Sequence, residues 1–308
     1  MSFRFRGETR DLNGTTRRDL SGSFVELPGG VTHYELGNPE KDNTVVLVHG
    51  FSVPYFIYDP TFNFLAESGF RVLRYDLFGR GFSDRPHRPN NIDLFVRQLE
   101  ELLDALRVRR PVSLVGLSMG GPITAAFTAR YPARVQKLVL IDPSGARPLD
   151  AALMLKTARL PFVGELIFGQ AGSAGMLRSI ASDFFDPSML EHFRSWYRIQ
   201  MEYKGFMRSI LSTIRHGMLG SFLEYYQQVG KMETPVLLFW GRADRTVPFE
   251  HSKDLRTAMP NLELHPIENC GHIPHYEKPD EVNPVLLEFL RRSCTRGCSP
   301  ISRPTNTC

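Results

Sequence analysis

The sequence predicts an α/β protein: a doubly wound, mostly parallel sheet with an inserted helical cap. Three observations predict it. Short, nearly continuous apolar runs recur near 44–48, 70–75, 112–116, 136–141, 236–240 and 262–267, as expected of strands buried on both faces. Helix-compatible segments alternate with them near 55–68, 92–107, 119–131 and 251–258, with a last near 280–292. That alternation winds a parallel sheet with helices on each side. From Gly145 to about Gly230 it stops, and amphipathic helical segments follow one another without a strand-like run.

Taken in order, residues 1–22 are polar and rich in Gly and Arg, and read as a flexible N-terminal segment. Phe24–Leu27 and Val31–Leu36 flank Pro28-Gly29-Gly30, a hairpin signal. The core is assigned to 23–144 and 231–292. The stretch 145–230 is assigned to a cap over the site, punctuated by Pro161, Pro187, Gly205 and Gly217. Its methionines and aromatics, such as Met154, Met176, Phe168 and Trp196, are expected to form mostly the cap's own core. The remainder should line an apolar acyl or aryl pocket. Residues 293–308, rich in Ser, Thr, Arg and Pro, read as a disordered tail.

Composition narrows the function. A chain of 308 residues can bury one large core with an inserted lid. The net charge of +4 is small and its arginines are scattered among acids, which gives no nucleic-acid footprint. No run of 18 apolar residues exists, so no stable membrane insertion is expected. The start Met1-Ser2-Phe3-Arg4 lacks the apolar stretch of a secretory signal, and a cytoplasmic protein is the expectation. Four cysteines, three of them in the tail (Cys294, Cys298, Cys308), have no metal-ligand spacing with a histidine. No metal or cofactor is expected. The sequence carries no signal of oligomeric state.

The most informative residue is Ser118. A strand-like run, Val112 to Val115, leads into Gly116-Leu117-Ser118-Met119-Gly120, and a helical stretch follows. This is the nucleophile-elbow pattern, in which glycines permit a turn too tight for flanking β-carbons. Asp244 ends the loop after the strand at 236–240, and His272 follows the strand at 262–267. Loops at the carboxyl edge of a parallel sheet converge, so Ser118, Asp244 and His272 can form one hydrogen-bonded row. His272 is the best base for the serine proton, with His275 its nearest competitor. Asp244 would hold the imidazole tautomer, and Asp142, after the sixth strand, is its rival. His49 and Asp76 read as loop-fixing residues.

These motifs resemble the α/β-hydrolase fold family over roughly residues 20–292. The resemblance includes Tyr75–Asp84, similar to the family's loop after its fourth strand, and Arg134–Asp142, similar to its sixth. The nearest look is that of capped serine esterases, C–C bond hydrolases of aromatic degradation and cofactor-free perhydrolases. Epoxide hydrolases and haloalkane dehalogenases share the layout but carry an aspartate at the elbow. The resemblance implies an oxyanion hole from the backbone N–H groups of Phe51 and Met119. It also implies a carboxylesterase acting on small to medium apolar esters through an acyl-enzyme. The C–C bond hydrolases commonly carry tryptophan after the histidine and asparagine before the serine, where this chain has Ile273 and Leu117. A non-catalytic small-molecule receptor on the same fold is the third reading.

Overall fold

The computed structural model describes residues 5–149, 158, 160, 162–168 and 172–293. Met154, Pro161 and the expected tail from Cys294 onward lie outside them.

The frame is an eight-stranded sheet: β1 (Ser23–Leu27), β2 (Gly30–Gly37), β3 (Thr44–Val48), β4 (Arg71–Tyr75), β5 (Val112–Leu117), β6 (Val135–Ile141), β7 (Val236–Gly241) and β8 (Glu263–Ile267). The order is β1-β2-β4-β3-β5-β6-β7-β8. The hairpin pairs antiparallel with itself and with β4, and all other pairs are parallel. All residues of β3, β5 and β7 are buried. Alternate side chains enter opposite cores. Val45, Leu47, Val115 and Leu117 face one, while Val46, Val48, Leu114 and Leu138 face the other.

The helices are α1 (Gly14–Arg18), α2 (Asp59–Glu67), α3 (Ile92–Ala105) and α4 (Gly120–Arg130) before β6 ends. Between β6 and β7 come α5 (Val163–Ile167), α6 (Ser173–Ser179), α7 (Leu190–Met201), α8 (Phe206–Arg215) and α9 (Leu223–Gly230). Then follow α10 (Ser252–Ala258), α11 (Pro274–Glu277) and α12 (Pro279–Arg291). Local chemistry sets their ends. Asn91 caps α3 by accepting the Leu94 N–H at 3.0 Å, and Asp93 complements the dipole in its first turn. Leu94, Phe95, Leu99, Leu102 and Leu103 then bury one stripe of that helix against the sheet. Among the described residues no helix is long and apolar enough to cross a membrane.

Two expectations need correction. The N-terminal segment is docked rather than free from Phe5 onward. Phe5 is buried in the core. Thr9 and Arg10 donate backbone N–H groups to the Glu202 carbonyl, and Glu8 accepts the N–H groups of Gly205 and Met207, both at 2.7 Å. Glu8 thereby caps α8. The helical insertion also ends earlier than 230, because α9 packs on α4 and α10 as part of the layer flanking the sheet.

Lys137 on β6 is the one charged side chain in a strand whose other buried residues are apolar, and is only 2% exposed. Its ammonium donates to the carbonyls of Phe289, Leu290 and Arg292 at 2.7, 2.9 and 2.5 Å. It therefore satisfies the last turn of α12, whose carbonyls have no helical partner. Lys137→Met keeps the volume and removes the donors. It should lower stability by about 2–4 kcal/mol, read as the midpoint shift in urea unfolding. An unchanged midpoint would show that water replaces the lysine there.

Candidate active site

β4 lies on one side of β3 and β5 on the other. The crevice at the carboxyl ends of such strands is where open α/β sheets gather functional loops. The loops after β3, β5, β6, β7 and β8 deliver Phe51, Ser118, Asp142, Asp244 and His272 to this edge.

The elbow is tight for a measurable reason. Ser118 has φ of +52°, a left-handed conformation that costs an L-residue energy. Its N–H donates to the Ile141 carbonyl at 2.9 Å, and its carbonyl accepts from Gly121 and Ser144. A β-carbon on Gly116 would lie 2.5 Å from the Gly120 carbonyl oxygen. One on Gly120 would lie 2.2 Å from the Val48 carbonyl oxygen. Both glycines are thus required by backbone approach, β5 to α4 and α4 to β3.

The loop after β3 lies against the serine. A β-carbon on Gly50 would sit 3.0 Å from Ser118 Cβ and 3.5 Å from its Oγ. The backbone N–H groups of Phe51 and Met119 have no acceptor among the described residues. Their side chains border the same cavity. His49 holds the loop: its Nε2 accepts the Leu77 N–H at 2.9 Å, so Nδ1 carries the proton and donates to the Gly50 carbonyl at 3.0 Å. Burial lowers its pKa to about 4, which keeps it neutral. Arg80, fully buried, donates to the Phe51 carbonyl at 2.8 Å and to Thr213 Oγ1 on α8 at 2.8 Å. Asp76 pins its own loop, accepting from Tyr55 N, Phe82 N and His33 Nδ1.

His272 and Asp244 meet. His272 Nδ1 donates to Asp244 Oδ2 at 2.7 Å. Asp244 Oδ1 accepts the N–H groups of Thr246 and Val247 at 2.8 and 2.9 Å. Burial works against a charged imidazole, but the Asp244 charge and hydrogen bond, with Asp183, lift His272 above its ordinary value. His275 is enclosed and packs on the Tyr58 ring at 4.8 Å, and burial lowers it to about 3. Asp142 lies beside the pair rather than in the bond to His272. It is fully buried, and burial together with the Asp244 charge holds its carboxyl well above the usual carboxylate range. Asp142, Asp244 and His272 are also the group whose donors approach closely enough to share a cation, among the described residues. His272 Nδ1 is already committed to Asp244, so hydrogen bonding accounts for the arrangement.

A cavity of about 300 Å³ opens on this edge. Ser118, His272, Phe51 and Met119 form its floor, with Val53, Ile57, Leu117 and Ile273 around them. The insertion supplies Phe168, Met176, Ile180 and Leu219. Of the cap methionines and aromatics described, Phe168 and Met176 reach this wall; Phe193, Tyr197, Phe206 and Met207 are buried in the core around them.

The sequence reading missed the polar side of the wall. Asp183 lies there with Ser179, Ser182 and Thr246. Its Oδ1 accepts from Thr246 Oγ1 at 2.6 Å, and its carbonyl accepts the His272 N–H at 2.8 Å. Glu277 was missed as well. It accepts the N–H groups of Phe185, Asp186 and Gly271, tying the insertion to the histidine loop. No local signal marks Asp183 or Glu277, because tertiary packing brings both to the site. Gln200 on α7 adds a third tie, donating to the Ser52 carbonyl at 2.8 Å and accepting the Gly81 N–H at 2.9 Å.

Comparison with known proteins agrees with this architecture. The sequence profile described as the alpha/beta hydrolase fold matches residues 43–279. The AB hydrolase superfamily protein YisY of Bacillus subtilis is 26% identical over 259 residues, covering 80% of this chain and 90% of the relative. The 2-hydroxy-6-oxononadienedioate/2-hydroxy-6-oxononatrienedioate hydrolase of Burkholderia vietnamiensis is 30% identical over 232 residues, 74% of this chain and 78% of the relative. Among solved structures, the 2-hydroxy-6-oxo-6-phenylhexa-2,4-dienoate hydrolase of Rhodococcus sp. strain RHA1 aligns with a TM-score of 0.72 and 25% identity. That alignment covers 88% of this chain and all (100%) of the other.

The close approach of α4 to β3 yields a prediction. Gly120→Ala forces its β-carbon against the Val48 backbone, which no side-chain rotation relieves. It should destabilise the protein by about 1–3 kcal/mol, measured by chemical denaturation. Wild-type stability would show that the elbow relaxes at no cost.

Proposed function

Because this chain belongs to the α/β-hydrolase fold family, we propose that it is a serine carboxylesterase acting on small to medium, uncharged apolar esters. The observation that carries the reading is the His272–Asp244 bond at 2.7 Å, opening with Ser118 on one largely apolar cavity. Ser118 Oγ attacks the ester carbonyl while His272 Nε2 takes its proton. Asp244 holds the other imidazole proton and stabilises the imidazolium. The N–H groups of Phe51 and Met119 receive the developing oxyanion, a contribution of several kcal/mol in comparable sites. His272 then protonates the departing alcohol. Water, deprotonated by the same histidine, releases the acid from Ser118.

A second reading comes from the relatives, several of which are named as hydrolases of dienedioates. A dienedioate carries two carboxylates. Among the described residues no Lys or Arg lines the cavity, and Asp183 does. A carboxyl there gives a buried carboxylate no cationic partner. That favours the neutral ester over C–C bond hydrolysis.

The deciding experiment pairs a p-nitrophenyl ester series, acetate to laurate, with a 2-hydroxy-6-oxo-dienedioate. Ester kcat/KM should rise by up to about 0.8 kcal/mol per methylene, then fall once the chain outgrows the cavity. Ser118→Ala should lower turnover by about 10⁴-fold or more while keeping the fold. A fluorophosphonate should label the wild type alone. Faster turnover of the dienedioate than of any ester would move the assignment to C–C hydrolysis. Labelling without turnover of either would leave a receptor.

The pH dependence follows from His272. A base must be neutral to accept a proton, and this imidazole is held above its ordinary value. Activity should therefore be full above the raised midpoint and fall as pH drops through it. The acid limb of kcat/KM should lie above about 6.5, the ordinary imidazole value. A limb well below that value would mean that Asp244 does not support the imidazolium.

A further inference from the structure

Asp142 is a buried carboxyl that the ester mechanism does not use. It follows β6 with φ of +42°, its backbone N–H bonded to the Phe239 carbonyl at 3.0 Å. Its Oδ1 accepts the Gly241 N–H at 2.9 Å. Its Oδ2 is buried and receives no donor among the described residues. One of its oxygens, one Asp244 oxygen and a His272 nitrogen lie within 4.8 Å of one another. Two carboxylates buried this close cannot both carry charge without a cation between them.

The donors decide which one is ionised. Asp244 receives three, from Thr246 N, Val247 N and His272 Nδ1. Asp142 receives one, on the oxygen facing Gly241. A carboxylate with three donors is the better anion, and a carboxyl with an orphaned oxygen is the better acid. We propose that Asp142 is kept as a neutral carboxylic acid whose Oδ2–H donates to the Asp244 carboxylate, and that it thereby positions Asp244 and moderates its hold on the His272 proton.

This inference rests on the reading of Asp244 and His272 as orienter and base, and deepens it. Asp142 acts through Asp244 and touches no substrate, so it is a positioning residue. Its donated proton draws charge from Asp244, which weakens the stabilisation of the His272 imidazolium. Among the described residues, the other titratable groups facing the cluster are Glu277 and His275 on α11, Cys270 after β8, His251 just before α10 and Asp183 from the insertion. The carboxyls add negative potential, which makes a second charge at Asp142 still less favourable.

The experiment reads the protein without substrate, so failure of the esterase reading leaves it intact. In wild-type protein carrying ¹³C-labelled aspartate carboxyls, one signal should remain in the acid form at neutral pH. That signal should be absent in Asp142→Asn and present in Asp183→Asn. The His272 ring is titrated by NMR alongside. Asp142→Asn replaces a neutral donor with a neutral donor, and should move the His272 midpoint by less than about 0.3 unit. Asp142→Ala removes the donor and should raise the midpoint by about half a unit. A fully ionised set of aspartates in the wild type overturns the proposal. So does a fall of about one unit or more in the His272 midpoint of Asp142→Asn, the mark of a lost negative charge. If the substituted proteins do not fold, the wild-type carboxyl spectrum decides alone: no acid-form aspartate at neutral pH refutes it.

Discussion

The close approach of three backbone segments is the constraint on which this site depends. β5, α4 and the end of β3 come together where Gly116 and Gly120 leave no room for a β-carbon, and Ser118 sits between them at φ +52°. The strain is local, and the support for it is not. The Ser118 amide bonds to β6 and its carbonyl accepts from Gly121 and Ser144, so neighbouring elements over-determine the turn. The same approach puts Gly50 against the serine and leaves the Phe51 and Met119 N–H groups without acceptors among the described residues. One packing arrangement thus sets the serine and both candidate oxyanion donors.

Much of this was legible because it follows from short-range chemistry. Glycine spacing marks the elbow, and apolar runs mark the strands that end at Ser118, Asp244 and His272. The strands expected near 70–75 and 262–267 begin one residue later, at Arg71 and Glu263, where terminal pairing is decided by neighbours. The N-terminal segment was illegible for a physical reason. Thr9 and Arg10 dock through backbone N–H groups, and Glu8 through a helix end about 200 residues away, so no apolar pattern announces them. Helix α9 has an amphipathic stripe like its predecessors, and only its packing on α4 shows that it flanks the sheet. Asp183 and Glu277 are ordinary acids in sequence, and their meaning arises from what the fold puts beside them.

The helical insertion is bound to the loops of the candidate site through polar groups rather than through apolar contact alone. Arg80 joins Thr213 of α8 to the Phe51 carbonyl, and Gln200 of α7 joins Ser52 to Gly81. Glu277 joins the 185–186 backbone to Gly271, and Asp183 joins its carbonyl to the His272 N–H. Arg80 is enclosed without a carboxylate partner among the described residues, and burial lowers its pKa to about 9. Such a group is retained where its three hydrogen bonds, the third to the Phe78 carbonyl at 3.2 Å, require a planar, multiply donating cation, which lysine does not supply.

These ties bear on substrate size. A lid that swings on entry breaks every bond between itself and the floor. Here such a motion would strip Asp183 from the His272 backbone and Gln200 from the Ser52 backbone, disturbing both His272 and the loop beside the candidate oxyanion donors. Walls and floor are therefore coupled, and the cavity they enclose measures about 300 Å³. That volume sits at the lower end of small-molecule sites. For the proposed ester, the apolar majority of the wall would reward added methylenes until the space is filled, while Asp183 offers an acid no cationic partner. On that proposal, size and charge selection fall to different residues: Phe168, Met176, Ile180 and Leu219 for the first, Asp183 for the second. Substitutions in the apolar group should therefore shift the chain-length optimum of kcat/KM across the p-nitrophenyl ester series, whereas Asp183→Asn, which keeps the side-chain volume, should leave that optimum in place.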